Sequence, residues 1–444
     1  MNRRRLTASV LAASLALGGL AACGGGGDSA EPAVNEDGST DVTMWVFAEV
    51  HADFYDAMAA SWNEANPDRK INLEMIVYPY EEMHNKLQVA VNAGEGLPDV
   101  VDIEVNKFAN FVLGSNPPLL DLTSAAEPYR ADIVEARLDL YSKDDKIYGY
   151  PTHVGAFVAF YNEELLSAQG IDYKTIVTWD DFRAAGQKYN QATGKAFGLA
   201  ETGVTFVEPL ITAQFGGEWI ADDGETIDVD NAETLEALTL LQNMQTDGAI
   251  STIAGGSPDA EEAYGMINNG DYAAIVYPAW YTSRYVDYMP DLAGKVAIAP
   301  APVTANAAVE TIGGGGTGTA VTRTSPVADF AAEWLAYAKL SPEANVAVWE
   351  ELGFDPVNMS VWEDEAVTHN PDNKYNQYFT TNLFDVLNGV KDGIGHWQSF
   401  SSPNWPPVDN LFRTVTLNEL FEEKKPAQDV ITQAQADLQN ELGQ

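Results

Sequence analysis

Residues 42–104, VTMWVFAEVHADFYDAMAASWNEANPDRKINLEMIVYPYEEMHNKLQVAVNAGEGLPDVVDIE, change periodicity repeatedly. Val42–Phe47 alternates towards a buried strand. Between His51 and Asn66, Phe54, Met58 and Trp62 recur at i, i+4 and i+8, one face of a helix. Asn66-Pro67-Asp68 stops that helix. Ile71–Tyr78 reads as a second strand and Tyr80–Ala93 as a second helix, ended by the Gly94-Glu95-Gly96 turn. Residues 98–104 form a third strand, and Lys107–Leu113 begins another helix. Strand–helix–strand–helix–strand predicts right-handed crossovers and a parallel sheet. That is a first α/β lobe.

Downstream, a new unit opens around Tyr148-Gly149-Tyr150-Pro151. Phe157–Tyr161 reads as a strand and Asn162–Ala168 as a helix. Thr178 precedes Asp180 and Asp181, a helix cap with acids in the first turn. Helices follow at Asn231–Thr246 and Glu261–Asn269, then a strand at Val296–Pro302. The run Gly313-Gly314-Gly315-Gly316-Thr317-Gly318 leads into an extended Thr319–Val321 and a helix at Val327–Ala338. The last hundred residues are helical, with helices expected at Tyr375–Gly389 and Ala427–Leu442. No period of 20–50 residues recurs, so the chain is not a solenoid.

The amino end carries a targeting signal. Arg3, Arg4 and Arg5 precede a small-residue apolar stretch, Leu6–Ala22, too short and too weakly apolar for a comfortable membrane span. Leu20-Ala21-Ala22-Cys23 closes it like a bacterial lipobox, in which Cys23 becomes the lipidated first residue. Residues 1–22 are thus expected to be a lipoprotein signal peptide and 23–40 a flexible tether. Cys23 is the chain's one cysteine, which rules out an internal disulfide. The 66 acidic residues against 24 basic give a net charge of −42. Such a surface repels nucleic acid and anionic headgroups. Hydrophobic content of 45 % excludes a mainly disordered chain.

Several chemistries lack their residues. Gly313, Gly315 and Gly318 match a dinucleotide-binding spacing, but Thr319-Ala320-Val321-Thr322 follows where a helix should open. A mobile loop at a lobe junction fits the run better. No phosphate-binding GxxxxGK[ST] loop, GxSxG elbow, HExxH pair or calcium loop occurs. The five histidines show no metal-ligand spacing, and no cofactor is expected. A glycosidase needs only two suitably spaced carboxylates, so that class stays open.

What remains is a set of polar and aromatic residues at strand ends. Trp45, Glu49 and His51 follow or end the first strand; Asp102, Glu104 and Lys107 close the third; His153 enters the second lobe. Gly270–Tyr288 (GDYAAIVYPAWYTSRYVDY) holds six aromatic residues in nineteen, against a chain average of 10 %. Ala273–Val276 is a short strand that Pro278 ends, which puts Trp280, Tyr281 and Arg284 where open α/β sheets bind ligands. Trp397 sits in a Gly-rich break, Gly393–Trp397. Indole faces pack on sugar C–H faces, and carboxylates and imidazoles exchange hydrogen bonds with vicinal hydroxyls. Blander roles also fit: Trp45 as core, Glu49 and His51 as a solvated helix start, Lys107 as a surface charge.

In order and spacing these pieces resemble a type 1 extracellular solute-binding lipoprotein of an ABC sugar importer, of the maltose-binding-protein-like class, over roughly residues 41–430. The carriers are the lipobox, Val42–Phe47, Leu97-Pro98-Asp99-Val100-Val101, Tyr148–Pro151 with Tyr161-Asn162, Thr178–Phe182 and Gly265–Ala279. The resemblance implies a two-lobed periplasmic-binding-protein-like α/β fold, each lobe a mostly parallel sheet flanked by helices, with the ligand cleft between. It assigns 41–151 plus about 305–352 to lobe 1, and 152–304 plus about 353–444 to lobe 2. It puts Trp280 on the second lobe's stacking position and Trp45, Asp102 and Glu104 on the first lobe's side. Gly149–Asn162, Asp102–Glu104 and the Gly313 run are similar to binders of arabinose-type or lactose-type sugars. The implied function is carbohydrate capture and delivery to permease subunits, without catalysis, by a monomer anchored through Cys23 outside the cytoplasmic membrane. A secreted glycoside hydrolase and a sugar adhesin or sensor are the alternatives.

Overall fold

The computed structural model describes residues 34–444. The expected signal peptide and Cys23 lie outside the described residues. The folded part starts earlier than Asp41, because the last tether residues are ordered. Asn35 and Ser39 close a turn at 2.8 Å, and the Asn35 side chain donates to Asp41 at 2.8 Å.

Strand β1 (Ser39–Val46) pairs in parallel with β2 (Lys70–Val77) and with β3 (Val100–Glu104). Helices α1 (Glu49–Ala65) and α2 (Tyr80–Ala93) make the crossovers. Phe54, Met58 and Trp62 of α1 are buried, as their spacing predicts. The next helix is shorter than expected: Val105–Phe108 tightens at once into a 3₁₀ turn over Ala109–Phe111.

The chain enters the second lobe from β4 (Tyr150–Pro151) into β5 (Phe157–Asn162). Here the sheet differs from expectation. Strands β6 (Ala274–Pro278) and β7 (Val296–Pro300) flank β5, and both run antiparallel to it. Apolar runs mark strands but carry no direction, so the parallel reading did not follow from them. One short parallel pair, Gly198–Ala200 with Ile250–Thr252, lies beside this sheet.

The chain returns through β8 (Thr311–Ile312) to β9 (Thr317–Val321), which lies antiparallel to β3 and β4. The first lobe's sheet therefore has five strands in the order β2-β1-β3-β9-β4, and the second lobe's main sheet has three, β6-β5-β7. The two crossings are knitted together. Ala156 bridges Gly313, and the fully buried Asp355 accepts the amides of Gly155 and Ala156 at 3.0 and 2.8 Å. Burial raises the Asp355 carboxyl to about 7, against the pull of those amides.

Local signals account for most helix ends. Thr178 and Asp181 form a capping box, each side chain bonding the other's backbone amide. Thr178→Ala is expected to cost about 1 kcal/mol, read as a lowered urea midpoint with unchanged slope. The helix expected over Tyr375–Gly389 is two helices, Lys374–Tyr378 and Leu383–Val390. Thr380 and Thr381 are drawn out between them to cover the open edge of β7, bonding Val296 and Ile298. Asn382 then caps the second helix. The threonine bonds satisfy edge groups of the strand that a continuous helix would leave unpaired. The Gly313–Gly318 run is not a mobile loop; Gly313 and Gly314 are buried and close-packed, as described below.

Candidate ligand site between the lobes

Where β3 ends, the backbone turns through Glu104 into Val105–Phe108 and faces the second lobe. A cavity of ≈250 Å³ lies there. Tyr80, Glu81, Glu104, Asn106 and Lys107 line it from the first lobe, and Thr205, Phe206, Phe400, Trp405, Asp409 and Arg413 from the second, with Gly315 between them. Phe206 immediately precedes α3 (Val207–Phe215) and Trp405 starts α4 (Trp405–Leu411), so helix termini set both rings.

His84 fixes the first-lobe wall. Its Nδ1 bonds the Tyr80 carbonyl at 2.8 Å and so carries the proton, leaving Nε2 to accept the Glu104 amide at 3.1 Å. Burial lowers the pKa of His84, in keeping with a neutral ring. The Tyr80 hydroxyl donates to Asn106 at 3.1 Å. On the second lobe, Thr205 donates to Asp409 at 2.5 Å, and Arg413 lies 3.4 Å from the same carboxylate. Burial raises the Asp409 carboxyl. Burial, with the charges of Asp102 and Asp409, pushes Glu104 up to about 8 although Arg137 and Lys107 oppose it.

The shift makes closure of the empty cleft pH-dependent. Part of that shift comes from the second lobe, through its Asp409 charge and the wall it lays over the cavity, so opening the cleft would return the Glu104 carboxyl towards its ordinary 4.5. The closed form then holds the proton more tightly, so protonation favours closure fully below 4.5 and that help is lost as pH rises through about 8. Small-angle scattering of the unliganded protein should give a larger radius of gyration at pH 9 than at pH 5. Glu104→Gln should flatten that difference.

Of the residues singled out in the sequence, the cavity takes Glu104 and Lys107 directly. Four others lie in packing or buried bonding, outside the cavity lining. Trp45 is core beneath α2, edge-on to Tyr78 at 5.3 Å. Asp102 is 1 % exposed and fully engaged inside the first lobe, described below. Tyr281 is buried, its hydroxyl donating to the Pro258 carbonyl at 2.7 Å. Trp397 is 2 % exposed and packs edge-on to Trp219 at 5.8 Å. Glu49 is exposed in the first turn of α1, outside the cavity lining. His51 contacts Asp102 through Nδ1 at 2.8 Å.

His153, Trp280 and Arg284 sit one layer behind the wall. His153 is buried against Phe354 at 4.9 Å, with both ring nitrogens lacking a partner among the described residues. Burial and the charges of Arg137 and Lys339 hold its pKa well below the ordinary value, so the ring is neutral. Trp280 packs edge-on behind Phe206 at 6.0 Å. Arg284 pairs with Asp259 at 2.8 Å and lies over the Trp280 ring at 5.4 Å.

Tyr80, Asn106, Phe206, Phe400, Trp405, Asp409 and Arg413 were not singled out in the sequence. One signal was there to find: Trp405-Pro406-Pro407 marks a helix start with an aromatic at its first position. Among the described residues, no group of three or more His, Cys, Asp or Glu could hold a metal, and no helix is long and apolar enough to cross a membrane.

Two α/β lobes joined by paired crossings, with rings and hydrogen-bonding groups converging from both, define a two-lobed binding protein. Comparison with known proteins agrees. Residues 48–345 match the family described as bacterial extracellular solute-binding protein. An arabinooligosaccharide-binding protein of Bacillus subtilis is 39 % identical over 419 residues, 93 % of this chain and 95 % of the relative. A protein of the same name from Halalkalibacterium halodurans is 39 % identical over 389 residues, 87 % of this chain and 86 % of the relative. The fold also resembles the sugar-binding protein MalE of Xanthomonas citri, with a TM-score of 0.76 at 18 % identity over 91 % of this chain and 98 % of that one. The chain belongs to the bacterial extracellular solute-binding protein family.

Proposed function

We propose that this protein captures an arabino-oligosaccharide outside the cytoplasm and hands it to the permease subunits of an ABC importer, without chemistry of its own. The observation that carries the reading is the inter-lobe cavity, where four rings, Tyr80, Phe206, Phe400 and Trp405, stand beside carboxyl, amide and hydroxyl groups. Rings suit the C–H faces of sugars and the polar groups suit their hydroxyls, so neutral polyhydroxylated ligands fit best. The sugar class is supported by the two relatives at 39 % identity, both named arabinooligosaccharide-binding protein.

In this reading Glu104 and Lys107 bond the sugar directly, and His51, His153, Trp280 and Arg284 support the wall from behind. The lobes divide near 151–152, 304–305 and 352–353, at or near the crossings that rotate on closure. Cys23 carries the lipid that tethers a monomer to the outer face of the membrane.

Calorimetric titration against neutral arabino-, galacto-, xylo- and gluco-oligosaccharides tests the assignment. One-site binding strongest for the arabino series is expected, with the sugar recovered intact after prolonged incubation. Absence of sub-millimolar binding across the panel, or release of shorter sugars, would overturn it.

A further inference from the structure

The glycine run that matched no ligand motif is threaded by a buried arginine. Arg137, from Glu135–Leu138 in the first lobe, is 1 % exposed. A Cβ on Gly313 would lie 2.3 Å from its Nη1, and one on Gly316 2.9 Å from its Nη2. Only glycine leaves room there for the guanidinium. Arg137 Nη2 donates to the Gly315 carbonyl at 2.5 Å. From the second lobe, the Trp280 indole N–H donates to the Gly314 carbonyl at 3.0 Å. Two consecutive carbonyls of one segment are thus gripped from opposite lobes.

This grip reaches the cleft wall. Gly315 lines the cavity, and a Cβ there would lie 3.7 Å from Phe206. Phe206 in turn leans on Trp280. Neither Arg137 nor Trp280 lines the cavity itself. Burial lowers the Arg137 pKa, and its Nε has no partner among the described residues. A guanidinium is an expensive filler for such a place; its charge-assisted bond to Gly315 gives it a purpose that an apolar side chain lacks.

We propose that Arg137 and Trp280 are a coupled pair of positioning residues, which pre-order the Gly314–Gly315 backbone and with it the Phe206 wall for the ligand. The inference rests on the sugar-binding reading above. Glycines are the residues with most backbone freedom, so ordering this segment only on binding would weaken affinity.

The test is a double-mutant cycle in sugar affinity by calorimetry, using Arg137→Met, Trp280→Phe and the double variant. Each single change is expected to weaken binding about tenfold, mainly through faster dissociation, and the double variant little more than the worse single one. Arg137→Lys should recover part of the loss and replaces Arg137→Met in the cycle if that variant fails to fold. Wild-type affinity in both single variants, or a double loss equal to the product of the single losses, overturns the coupling. Amide exchange of Gly314–Gly316 in the unliganded protein is a second readout, independent of any sugar. Faster exchange in both variants is expected, and unchanged exchange overturns the proposal. A wild-type protein that binds no sugar yet shows the exchange effect would instead overturn the sugar reading.

Discussion

Asp102→Ala is expected to lower the unfolding free energy by about 3–5 kcal/mol, because it strands a buried cation. Lys339, 1 % exposed, donates to the Tyr55 hydroxyl at 3.2 Å. Tyr55 bonds Thr319 at 2.6 Å, and Thr319 donates to Asp102 at 2.7 Å. Lys339 also donates to Thr152, just beyond β4 on the crossing segment. Burial alone would raise the Asp102 carboxyl, but His51, through its hydrogen bond and charge, together with Lys339 and Thr319, holds it well below the ordinary 3.8. Its stabilisation is therefore present above pH 3.8 and is lost as the pH falls through the depressed native value.

The same network predicts how the variant's defect depends on pH. Burial already lowers Lys339 from 10.5 to about 8, with Asp102 pulling the other way. Without Asp102 the lysine sheds its proton more readily. The unfolded variant then binds more protons than the native one already below pH 8, where wild-type Lys339 is still charged, so the deficit of Asp102→Ala should shrink as the pH rises towards about 8 and stay level above it. Asp102→Ala/Lys339→Met should regain most of the loss at pH 7, since removing both partners avoids the unpaired charge. Urea unfolding of the three variants at pH 7 and pH 9 checks both statements. A single variant within 1 kcal/mol of wild type would show that the network carries little (~1 kcal/mol is the ordinary effect of a substitution).

Trp405→Ala is expected to weaken sugar binding by about 2–4 kcal/mol, on the order of thirtyfold or more. The ring is as buried as Trp397, 2 % exposed, but unlike Trp397 it borders the cavity, and its position is set by stacking on Trp219 at 5.8 Å and edge contact with Phe400 at 4.8 Å. A ring so fixed loses little entropy on binding, which is what a strong anchor requires. Truncation also opens the Trp219 cluster, so a stability loss of about 3–5 kcal/mol should accompany it. Trp405→Phe separates the two effects: it should keep most of the stability and only part of the affinity. Calorimetry and urea unfolding on both variants check this, and unchanged affinity in Trp405→Ala would remove the residue from the site.

The elements of the fold were legible where periodicity and caps were local. The α1 stripe of Phe54, Met58 and Trp62, the Thr178–Asp181 box and the Ala427–Leu442 helix lie where the residues put them. Strand direction was not legible, since Phe157–Asn162 and Ala274–Pro278 look alike whichever way they pair. Nor was the break at Thr380–Asn382, which answers to a strand edge some eighty residues earlier. The site was read only in part. Glu104 and Lys107 ride on a strand end that the sequence marked. Trp45, Tyr281 and Trp397 have the same chemistry as a ligand-stacking ring, and only tertiary packing shows that they stand away from the cavity. Phe206 and Asp409 reach the cavity from helix ends that carry no distinctive local pattern.

The central claim, that one sugar is held by both lobes at once, is tested most directly by hydrogen exchange with and without a neutral arabino-oligosaccharide. Simultaneous protection of the Glu104–Phe108 turn and the Phe400–Arg413 segment is predicted, since each supplies one wall of the cavity. Protection confined to one lobe, or centred on the ≈1030 Å³ groove between β7 and the Leu383–Val390 helix, would contradict it.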